Sequence, residues 1–468
     1  MFPSNEAKRR KRYSMAQKPS IPKGTRDFSP AEMARREYVF SVLRDAFSRY
    51  GFSQIQTPSF ENLSTLMGKY GDEGDRLIFK ILNSGDYLRD VPGEVLDEKD
   101  SQHATKYLSE KALRYDLTVP FARYVVQHQS EIAFPFKRYQ MQPVWRADRP
   151  QKGRFREFYQ CDADVVGSRS LWQEVELVLL YDEVFTRLGI PVSVRINNRK
   201  ILSAMAEVTG QPDRIVDLTV ALDKLDKIGA EAVEAEMLEK GLTPQSVELI
   251  RPFLSPMTQE QMWELLEKTL GGTDAGRKGI DELRFIFEAV GSLGLKSATL
   301  DLDLTLARGL NYYTGAIFEV KAQGVEMGSI GGGGRYDDLT GIFGMKNVSG
   351  VGISFGLDRI CLVMEELGRF DAELDRGVDV LLANMGAVEA HYSMKALQQL
   401  RAAGVRAEMY PDAVKLGKQL DYANRKSVRW VAIAGSSEVE KGVFTLKDMT
   451  AGTQTEVAAG ELLEHVRI

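Results

Sequence analysis

The segment Phe158-Tyr159-Gln160-Cys161-Asp162-Ala163-Asp164 alternates two kinds of side chain with the two-residue period of a β-strand. Its even-numbered positions carry an aromatic ring, an amide and two carboxylates, so these groups share one face. Its odd-numbered positions, with Val165 after them, form a face that looks buried. A polar face of this kind is solvated in an ordinary surface strand. The basic residues just before the segment favour a polar binding site instead.

This strand is one half of a predicted antiparallel pair. We predict strands over Phe136 to Arg146 and over Phe155 to Val166. Residues 147–153 between them are too many and too charged for a tight hairpin turn. The loop and its flanks carry four basic side chains, a composition suited to binding a polyphosphate or RNA. They are Arg146, Arg149, Lys152 and Arg154.

Two long helices flank this unit. The first is predicted over Ala31 to Tyr50, with Ser29 as its N-cap and Gly51 at its end. Its apolar residues at helical spacing are Val39, Leu43, Ala46 and Phe47. We also predict a strand over Phe52 to Phe60 and an amphipathic helix over Trp172 to Leu188.

Changes in composition divide the chain into four regions. These are a basic tail (1–18), a split α+β domain (19–196 and 296–372), a helical insertion (197–295) and a C-terminal α/β domain (373–468). The tail contains the run Lys8 to Arg12 and predicts a disordered, solvated segment. It could also contact RNA, or Met15 could be the natural start.

The C-terminal region follows a β-α-β-α-β order, which predicts a small domain on a largely parallel sheet. The predicted strands are Val378 to Ala383, Val405 to Tyr410 and Trp430 to Ala434, with helices ending at Ala403 and spanning Lys415 to Arg425.

Composition excludes several classes of protein. The chain has 468 residues, 43% of them hydrophobic and 27% charged, as in ordinary globular proteins. No run of about 18 apolar residues predicts a membrane span. Two cysteines without a CxxC pair fit a reducing cytoplasm. Four scattered histidines argue against a histidine-ligated metal, and a net charge of −5 excludes a generally basic surface.

Three glycine-containing segments follow the predicted insertion. Ala307 to Gly315 places two adjacent tyrosines beside an arginine, although a structural loop with one tyrosine packed inward is the simpler interpretation. Gly331 to Asp337 begins with four glycines, which let a backbone approach a ligand closely. Gly350 to Arg359 reads as a strand that runs into a helix. An anion near that helix start would be favoured by the arginine and by the backbone dipoles.

The order of these segments resembles class II aminoacyl-tRNA synthetases. Gly51 to Glu61 resembles the first class motif, Phe136 to Asp164 the second and Gly350 to Arg359 the third. Three further segments resemble the histidyl-tRNA synthetases in particular: Lys23 to Phe28, Arg308 to Tyr313 and Gly333 to Asp337. The resemblance implies a catalytic domain on a mainly antiparallel sheet, a C-terminal anticodon-binding domain and a homodimer in the cytoplasm, with no membrane association.

The resemblance also implies a binding site for each part of histidine. The ammonium group would be held by Asp116, Thr118 and Gln160, and Leu117 is also expected at the histidine site. The imidazole would be held by Asp164 and Tyr313, with Tyr312 and Tyr336 lining the pocket. A neutral imidazole has one donor and one acceptor, and a carboxylate opposite a phenol can satisfy both.

For the nucleotide, the resemblance implies that Arg146 and Arg308 flank the α-phosphate and that Arg359 holds the far end of the triphosphate. Phe158 would stack on adenine, with Asp148 and Arg154 also at the ATP site. The expected catalytic residues are therefore Arg146, Arg308 and Arg359, with Mg²⁺ on the departing pyrophosphate. Arg149, Gln151 and Lys152 would reach the acceptor stem of tRNA(His). Basic residues of the C-terminal domain, such as Lys415 and Arg425, would serve the anticodon.

Two positions carry residues that differ from those common in the family's motifs. Asp148 stands where class II enzymes usually have Glu, and Asp116 begins a segment that many members begin with Glu. A related alternative is a regulatory paralogue that senses histidine without catalysis. Such regulators typically lack the C-terminal domain, which this chain has. Another is a class II synthetase for a different amino acid, against which Tyr312 and Tyr313 argue.

Overall fold

The computed structural model describes residues 18–307, 312–371, 374 and 377–467. Contacts group these residues into two compact units. The larger unit comprises residues 18–27 and 39–369, and the smaller unit comprises residues 28–38 and 370–467. The basic run Lys8 to Arg12 and the segment Arg308 to Asn311 lie outside the described residues. The four-region division made from the sequence stays a prediction.

An eight-stranded sheet is the framework of the larger unit. Its strands have the order β1-β5-β6-β11-β10-β9-β7-β8, and only the pairs β1–β5 and β7–β8 are parallel. The mainly antiparallel sheet predicted for this part of the chain is therefore confirmed. The strands of the unit are β1 (Ser53–Gln54), β2 (Phe60–Asn62), β3 (Lys80–Ile81), β4 (Lys111–Leu113), β5 (Phe136–Trp145), β6 (Glu157–Val166), β7 (Val192–Asn198), β8 (Ala298–Leu302), β9 (Ala316–Ala322), β10 (Gly331–Asp337) and β11 (Ser349–Gly356).

The helices that begin between residues 30 and 369 are numbered in chain order. They are α1 (Pro30–Arg49), α2 (Leu63–Leu66), α3 (Gly71–Leu77), α4 (Gly93–Glu98), α5 (Ser101–Leu108), α6 (Thr118–Gln127), α7 (Trp172–Leu188), α8 (Arg199–Val208), α9 (Ile215–Leu222), α10 (Leu225–Ile228), α11 (Ala230–Glu239), α12 (Pro244–Ile250), α13 (Gln259–Leu270), α14 (Asp274–Leu293) and α15 (Leu357–Glu366). Short 3-10 turns occur at Pro212–Arg214, Arg251–Leu254 and Leu339–Phe343. The helical character predicted after residue 197 is confirmed from Arg199 onward. No helix in the described ranges is long and apolar enough to cross a membrane.

Helix α1 follows its predicted course. Ser29 and Glu32 exchange hydrogen bonds between side chain and backbone at the N-terminus, which satisfies two N–H groups of the first turn. Gly51 adopts φ +79°, and its N–H donates to the carbonyl of Ser48, which ends the helix. The four apolar residues predicted on one face are all fully buried.

An aromatic cluster fixes one face of the large sheet. Phe355 of β11 contacts Phe47 of α1 at 5.8 Å between ring centroids and Tyr181 of α7 at 4.8 Å. Phe185 packs against the same ring at 5.6 Å. Each such side chain contributes about 1.5–3 kcal/mol by leaving water. The helices therefore cover this face and leave the opposite face for the site.

One predicted strand is wrong in its extent. The strand expected over Phe52 to Phe60 is two short strands, β1 and β2, which belong to different sheets. Pro58 lies between them and cannot donate a ladder hydrogen bond. Strands β2, β4 and β3 form a separate three-stranded sheet that precedes α6 and the segment around Asp116.

A five-stranded sheet organises the smaller unit, with the order β13-β12-β14-β15-β16. Its first three strands are parallel, but β15 and β16 add to it antiparallel. The prediction of a largely parallel sheet is therefore wrong for the last two strands, neither of which was predicted from the sequence. Its elements are β12 (Val380–Leu382), α16 (Ala387–Ala402), β13 (Ala407–Met409), α17 (Leu416–Arg425), β14 (Trp430–Ile433), α18 (Ser436–Lys441), β15 (Val443–Asp448), β16 (Gln454–Ala458) and α19 (Leu462–Val466).

Candidate active site

Two adjoining cavities lie on the face of the large sheet that bears the even-numbered residues of β6, which we call the polar face. The outer cavity measures about 640 Å³ and the inner one about 40 Å³. Gln160 and Tyr313 line both, so the cavities communicate. Predicted site residues of the outer cavity are Arg146, Asp148, Arg154, Phe158, Gln160, Tyr313 and Arg359. Those of the inner cavity are Asp116, Thr118, Gln160, Asp164, Tyr312, Tyr313 and Tyr336.

The strand registers explain this grouping. Asp164 of β6 lies opposite Arg138 of β5 and Gly352 of β11. A Cβ atom at Gly352 would stand 2.0 Å from Oδ1 of Asp164, so only glycine leaves room for that carboxylate. The shared face predicted for the even-numbered residues of β6 is confirmed. It is not solvated, because Asp162 is 3% exposed and Asp164 is 2% exposed.

Three buried carboxylates line the inner cavity, and two of them, Asp162 and Asp164, lie near the buried Arg138. Nη2 of Arg138 lies 2.9 Å from Oδ2 of Asp164, and the arginine is fully buried. Burial raises the pKa of both Asp116 and Asp164, and Arg138 counters this rise at Asp164. Burial also raises the pKa of Asp162 to about 7, although Arg138 lowers it. The pocket is therefore built to receive a cation or several hydrogen-bond donors.

Asp116 is held by tyrosines from two parts of the chain. The Tyr70 hydroxyl donates to Oδ1 at 2.9 Å, and the Tyr312 hydroxyl donates to Oδ2 at 3.1 Å. The neighbouring Leu117 is buried, and its carbonyl accepts from Arg138 at 3.4 Å. The side chain of Leu117 does not line the inner cavity, whereas Thr118 does.

The aromatic wall of the inner cavity is built from adjacent rings. The Tyr336 hydroxyl donates to Oδ1 of Asp164 at 2.7 Å. The rings of Tyr312 and Tyr313 meet edge to face at 5.0 Å. Burial raises the pKa of Tyr313, and the negative charge of Asp164 raises it further. The phenol of Tyr313 therefore stays protonated and can donate a hydrogen bond. A carboxylate and a phenol thus face one small space.

Cationic and aromatic groups line the outer cavity. Arg146 donates from Nε to the carbonyl of Tyr115 at 3.1 Å, and its guanidinium lies 5.2 Å from the ring centre of Phe158. Arg359 donates to the carbonyl of Gly153 at 2.7 Å. These backbone contacts fix the direction of each guanidinium, and an anion such as a triphosphate suits the charge they present.

Asp148 forms an ion pair with Arg154. Its carboxylate accepts from Nη2 of Arg154 at 2.7 Å, while its own side chain is largely buried. Beyond it, Arg149, Gln151 and Lys152 are exposed on the loop. The loop therefore offers polar side chains to a partner at the mouth of the outer cavity.

Several residues that shape the site were not singled out from the sequence. Asp358 accepts from the backbone N–H of Tyr159 at 2.9 Å and pairs with Arg26. Arg26 also lies 3.5 Å from the ring centre of Phe155. Arg138 and Tyr70 belong to the same group. Their sequence signals are weak because their partners lie far away along the chain.

Arg335 lies within a quoted motif but does not face the cavities. It makes a two-point ion pair with Glu174 of α7 at 2.5 and 2.6 Å, and it donates to Ser349 at 2.5 Å. Both members of the pair are buried. This arginine therefore ties β10 to the helix behind the sheet, while its neighbour Tyr336 serves the site.

The described residues offer no group of three or more His, Cys, Asp or Glu side chains suited to a metal ion. A hard cation such as Mg²⁺ often binds through substrate phosphates with few protein ligands. Arg308, predicted at this site, lies outside the described residues.

Relatives of the chain are similar over nearly its whole length. The histidine–tRNA ligase of Christiangramia forsetii is 62% identical over 447 residues, which are 95% of this chain and 98% of that protein. The histidine–tRNA ligase of Phocaeicola vulgatus is 58% identical over 454 residues, which are 97% of this chain and 100% of that protein. Among solved structures, histidyl-tRNA synthetase from Nostoc sp. PCC 7120 has a TM-score of 0.78 at 31% identity. The match covers 96% of this chain and 98% of that one.

Family models agree with these relatives. The family described as histidyl-tRNA synthetase matches residues 24–88 and 102–360, which include both cavities. A model of an anticodon binding domain matches residues 378–467, the greater part of the smaller unit. The C-terminal domain that the regulatory paralogues typically lack is thus present. The arrangement of the polar face and the extent of these matches agree, and the chain belongs to the histidyl-tRNA synthetase family.

Proposed function

We propose that this protein is a histidine–tRNA ligase, which activates L-histidine with ATP and transfers it to the 3′ end of tRNA(His). The observation that carries the proposal is the joining of two cavities of different character on one sheet face. The inner cavity offers buried carboxylates and phenols, and the outer one offers arginines and an aromatic ring. A ligand in one can reach a ligand in the other beside Gln160 and Tyr313.

In this proposal the inner cavity holds histidine. Asp164 accepts a hydrogen bond from the imidazole N–H, and Tyr313 donates to the other ring nitrogen. The ammonium group is held by Asp116, Thr118 and Gln160, with Leu117 contributing backbone. An apolar amino acid of similar size would leave these buried groups without partners, so the pocket would reject it strongly.

The outer cavity holds ATP, which enters with Mg²⁺ on its phosphates. Phe158 stacks on adenine, and Asp148 keeps Arg154 oriented toward the nucleotide. Arg146 and Arg308 flank the α-phosphate, and Arg359 binds the far end of the triphosphate. The Mg²⁺ ion supplies charge neutralisation for the departing pyrophosphate.

The chemistry needs no covalent intermediate on the protein. A carboxylate oxygen of histidine bonds to the α-phosphorus, and the bond from that phosphorus to pyrophosphate breaks. The arginines stabilise the charge that develops on the phosphate, so catalysis rests on orientation and electrostatics. A hydroxyl at the tRNA 3′ end then attacks the carbonyl carbon of histidyl-adenylate, and AMP leaves.

Contacts with tRNA are proposed at two places. Arg149, Gln151 and Lys152 form an exposed polar loop suited to the acceptor stem. The C-terminal unit offers the exposed cations Lys415, Lys418 and Arg425 for the anticodon. We further propose a homodimer, which fits the 50% exposure of Phe60 in the segment that resembles the first class motif. Its role in translation implies the cytoplasm.

Charging of a tRNA(His) transcript tests the whole proposal. With ATP and Mg²⁺, the protein should attach radiolabelled histidine to the transcript, and a tRNA for another amino acid should stay uncharged. Arg308→Ala should lose adenylate formation while its melting temperature is retained. No charging by the intact protein, together with retained histidine binding, would favour a histidine-sensing regulator. Normal turnover in Arg308→Ala would refute the role of that arginine.

A further inference from the structure

Asp162 lines the inner cavity but has no role in the site described so far. It lies on the central strand β6, directly opposite Gln140 of β5 and Ser354 of β11. Its side chain is almost fully buried. A carboxylate in such a place is costly to ionise unless something compensates the charge, so it needs either a protein partner or a ligand.

The acceptors of Asp162 and Gln160 are incompletely satisfied by the protein. Oδ1 of Asp162 and Oε1 of Gln160 are both buried, and neither accepts a hydrogen bond from any residue that the structure describes. The two side chains are two positions apart on one strand face, so their Cα atoms are about 6.6 Å apart. One small donor group can therefore reach both oxygen atoms.

Several other acceptors of the cavity already have donors within the protein. Both carboxylate oxygens of Asp116 accept from tyrosine hydroxyls. Oδ1 of Asp164 accepts from Tyr336, while its Oδ2, which lies 2.9 Å from Arg138, accepts no hydrogen bond from the described residues and is left for the imidazole N–H of the proposed function. Gln160 donates its amide to Ser354 at 3.3 Å, which turns its carbonyl oxygen to the acceptor role. Oδ1 of Asp162 and Oε1 of Gln160 therefore still need donors, which a single group with several N–H bonds could supply. An ammonium group has three such donors.

We propose that Asp162 is a further substrate-binding residue, whose carboxylate accepts a hydrogen bond from the α-ammonium group of histidine next to Gln160. The proposal rests on the proposed function and adds a charge to the set of groups that recognise the amino acid. It also gives the buried carboxylate a reason to be present. The cation that neutralises it arrives with the substrate.

A linkage between protons and histidine follows from the surroundings of Asp162. Burial raises the pKa of Asp162 to about 7, and the nearby charge of Asp164 adds to the rise, while Arg138 and a hydrogen bond from Ser354 oppose it. The titratable and charged groups that face it from the neighbouring elements are Arg138, Asp164, Asp116, Tyr181 and Tyr313. Near neutral pH the carboxyl is partly protonated, and binding of the ammonium favours its charged form. Histidine binding should therefore release a proton from Asp162 to the buffer.

Calorimetric titration of the full-length protein with histidine alone, in two buffers of different ionisation enthalpy, tests this assignment. At pH 7 we expect Asp162→Asn to weaken histidine binding roughly 10- to 100-fold, because a charge-assisted hydrogen bond is lost. The proton release seen with the intact protein should fall by roughly half a proton in the variant. The KM for ATP should stay within about threefold of its original value.

A second buried aspartate is the matched control. Asp182 accepts from three backbone N–H groups, at Lys296, Ser297 and Ala298. Asp182→Asn should lower the melting temperature and leave histidine affinity unchanged. Asp162→Asn should keep or raise the melting temperature, since a buried charge is removed. Unchanged affinity and proton release in Asp162→Asn would overturn the assignment. Absence of histidine binding by the intact protein would instead overturn the proposed function.

Discussion

Nη2 of Arg138 lies 2.9 Å from Oδ2 of Asp164, and both side chains are buried beneath the inner cavity. The guanidinium also lies 4.3 Å from the ring centre of Phe121. Its charge lowers the pKa of both buried carboxyls of β6, Asp162 and Asp164. Arg138 thus supports the site electrostatically through Asp164, without itself lining the inner cavity.

Arg138→Met should destabilise the larger unit by about 3–5 kcal/mol, because it leaves a buried carboxylate without its counter-charge. The measurement is the midpoint of urea unfolding, followed by circular dichroism. Arg195→Met is the matched control, since Arg195 pairs with Asp303 at a partly exposed position and should lose at most about 1 kcal/mol. Equal midpoints for the two variants would contradict the importance given to the buried pair.

Tyr336→Phe should weaken histidine binding while folding is preserved. The variant removes the hydroxyl that donates to Oδ1 of Asp164 at 2.7 Å, so the carboxylate loses its orientation. We expect the KM for histidine to rise by roughly tenfold and the KM for ATP to change little. Steady-state pyrophosphate exchange measures both. An equal rise in both constants would show that the hydroxyl does not act through the histidine pocket.

Gly352→Ala should close part of the inner cavity. The added Cβ would meet Oδ1 of Asp164 at 2.0 Å and must displace that carboxylate. Histidine affinity should therefore fall by at least about tenfold. Gly356→Ala, on the same strand, meets its nearest atom at 3.4 Å and should bind histidine normally. Similar affinities for the two variants would contradict the close approach seen here.

The stability of the protein should respond to pH through Asp162. Its pKa is about 7 in the folded state, while the ordinary value is 3.8. Unfolded chains therefore ionise this carboxyl at lower pH than folded ones, and the free energy of unfolding falls as pH rises from about 4 to 7. Asp162→Asn lacks this contribution. Its stability relative to the intact protein, measured by urea unfolding, should thus increase between pH 5 and pH 7; a constant difference would refute the raised pKa.

Local patterns allowed much of this site to be predicted. Alternation along β6 placed Gln160, Asp162 and Asp164 on one face, because a strand has a strict two-residue period. Helix α7 was predicted with its observed ends, since its apolar residues repeat at helical spacing. The glycine run of β10 predicted a backbone that a ligand can approach closely, and Gly332 and Gly333 do line both cavities. The histidine and ATP roles came from the resemblance of whole segments and not from these patterns.

Other features could not be predicted because they depend on contacts between distant parts of the chain. Tyr70 reaches Asp116 across 46 positions, and Asp358 reaches Tyr159 across 199. The burial of Asp162 likewise needs both neighbouring strands. In the smaller unit, β16 was missed because a largely exposed strand with mixed polar residues resembles a loop. Strand β15 was missed although Phe444 and Leu446 alternate on its buried face, because the pattern covers only a short segment. A single sequence contains no direct record of such pairings.

ATP–pyrophosphate exchange with each of the twenty amino acids in turn tests the central claim most directly. We expect histidine to support exchange and the other amino acids not to, because the inner cavity combines buried carboxylates with phenols. The readout is label from pyrophosphate that appears in ATP. Exchange with another amino acid but not with histidine would contradict the assigned specificity, and no exchange with any amino acid would contradict the assigned activity.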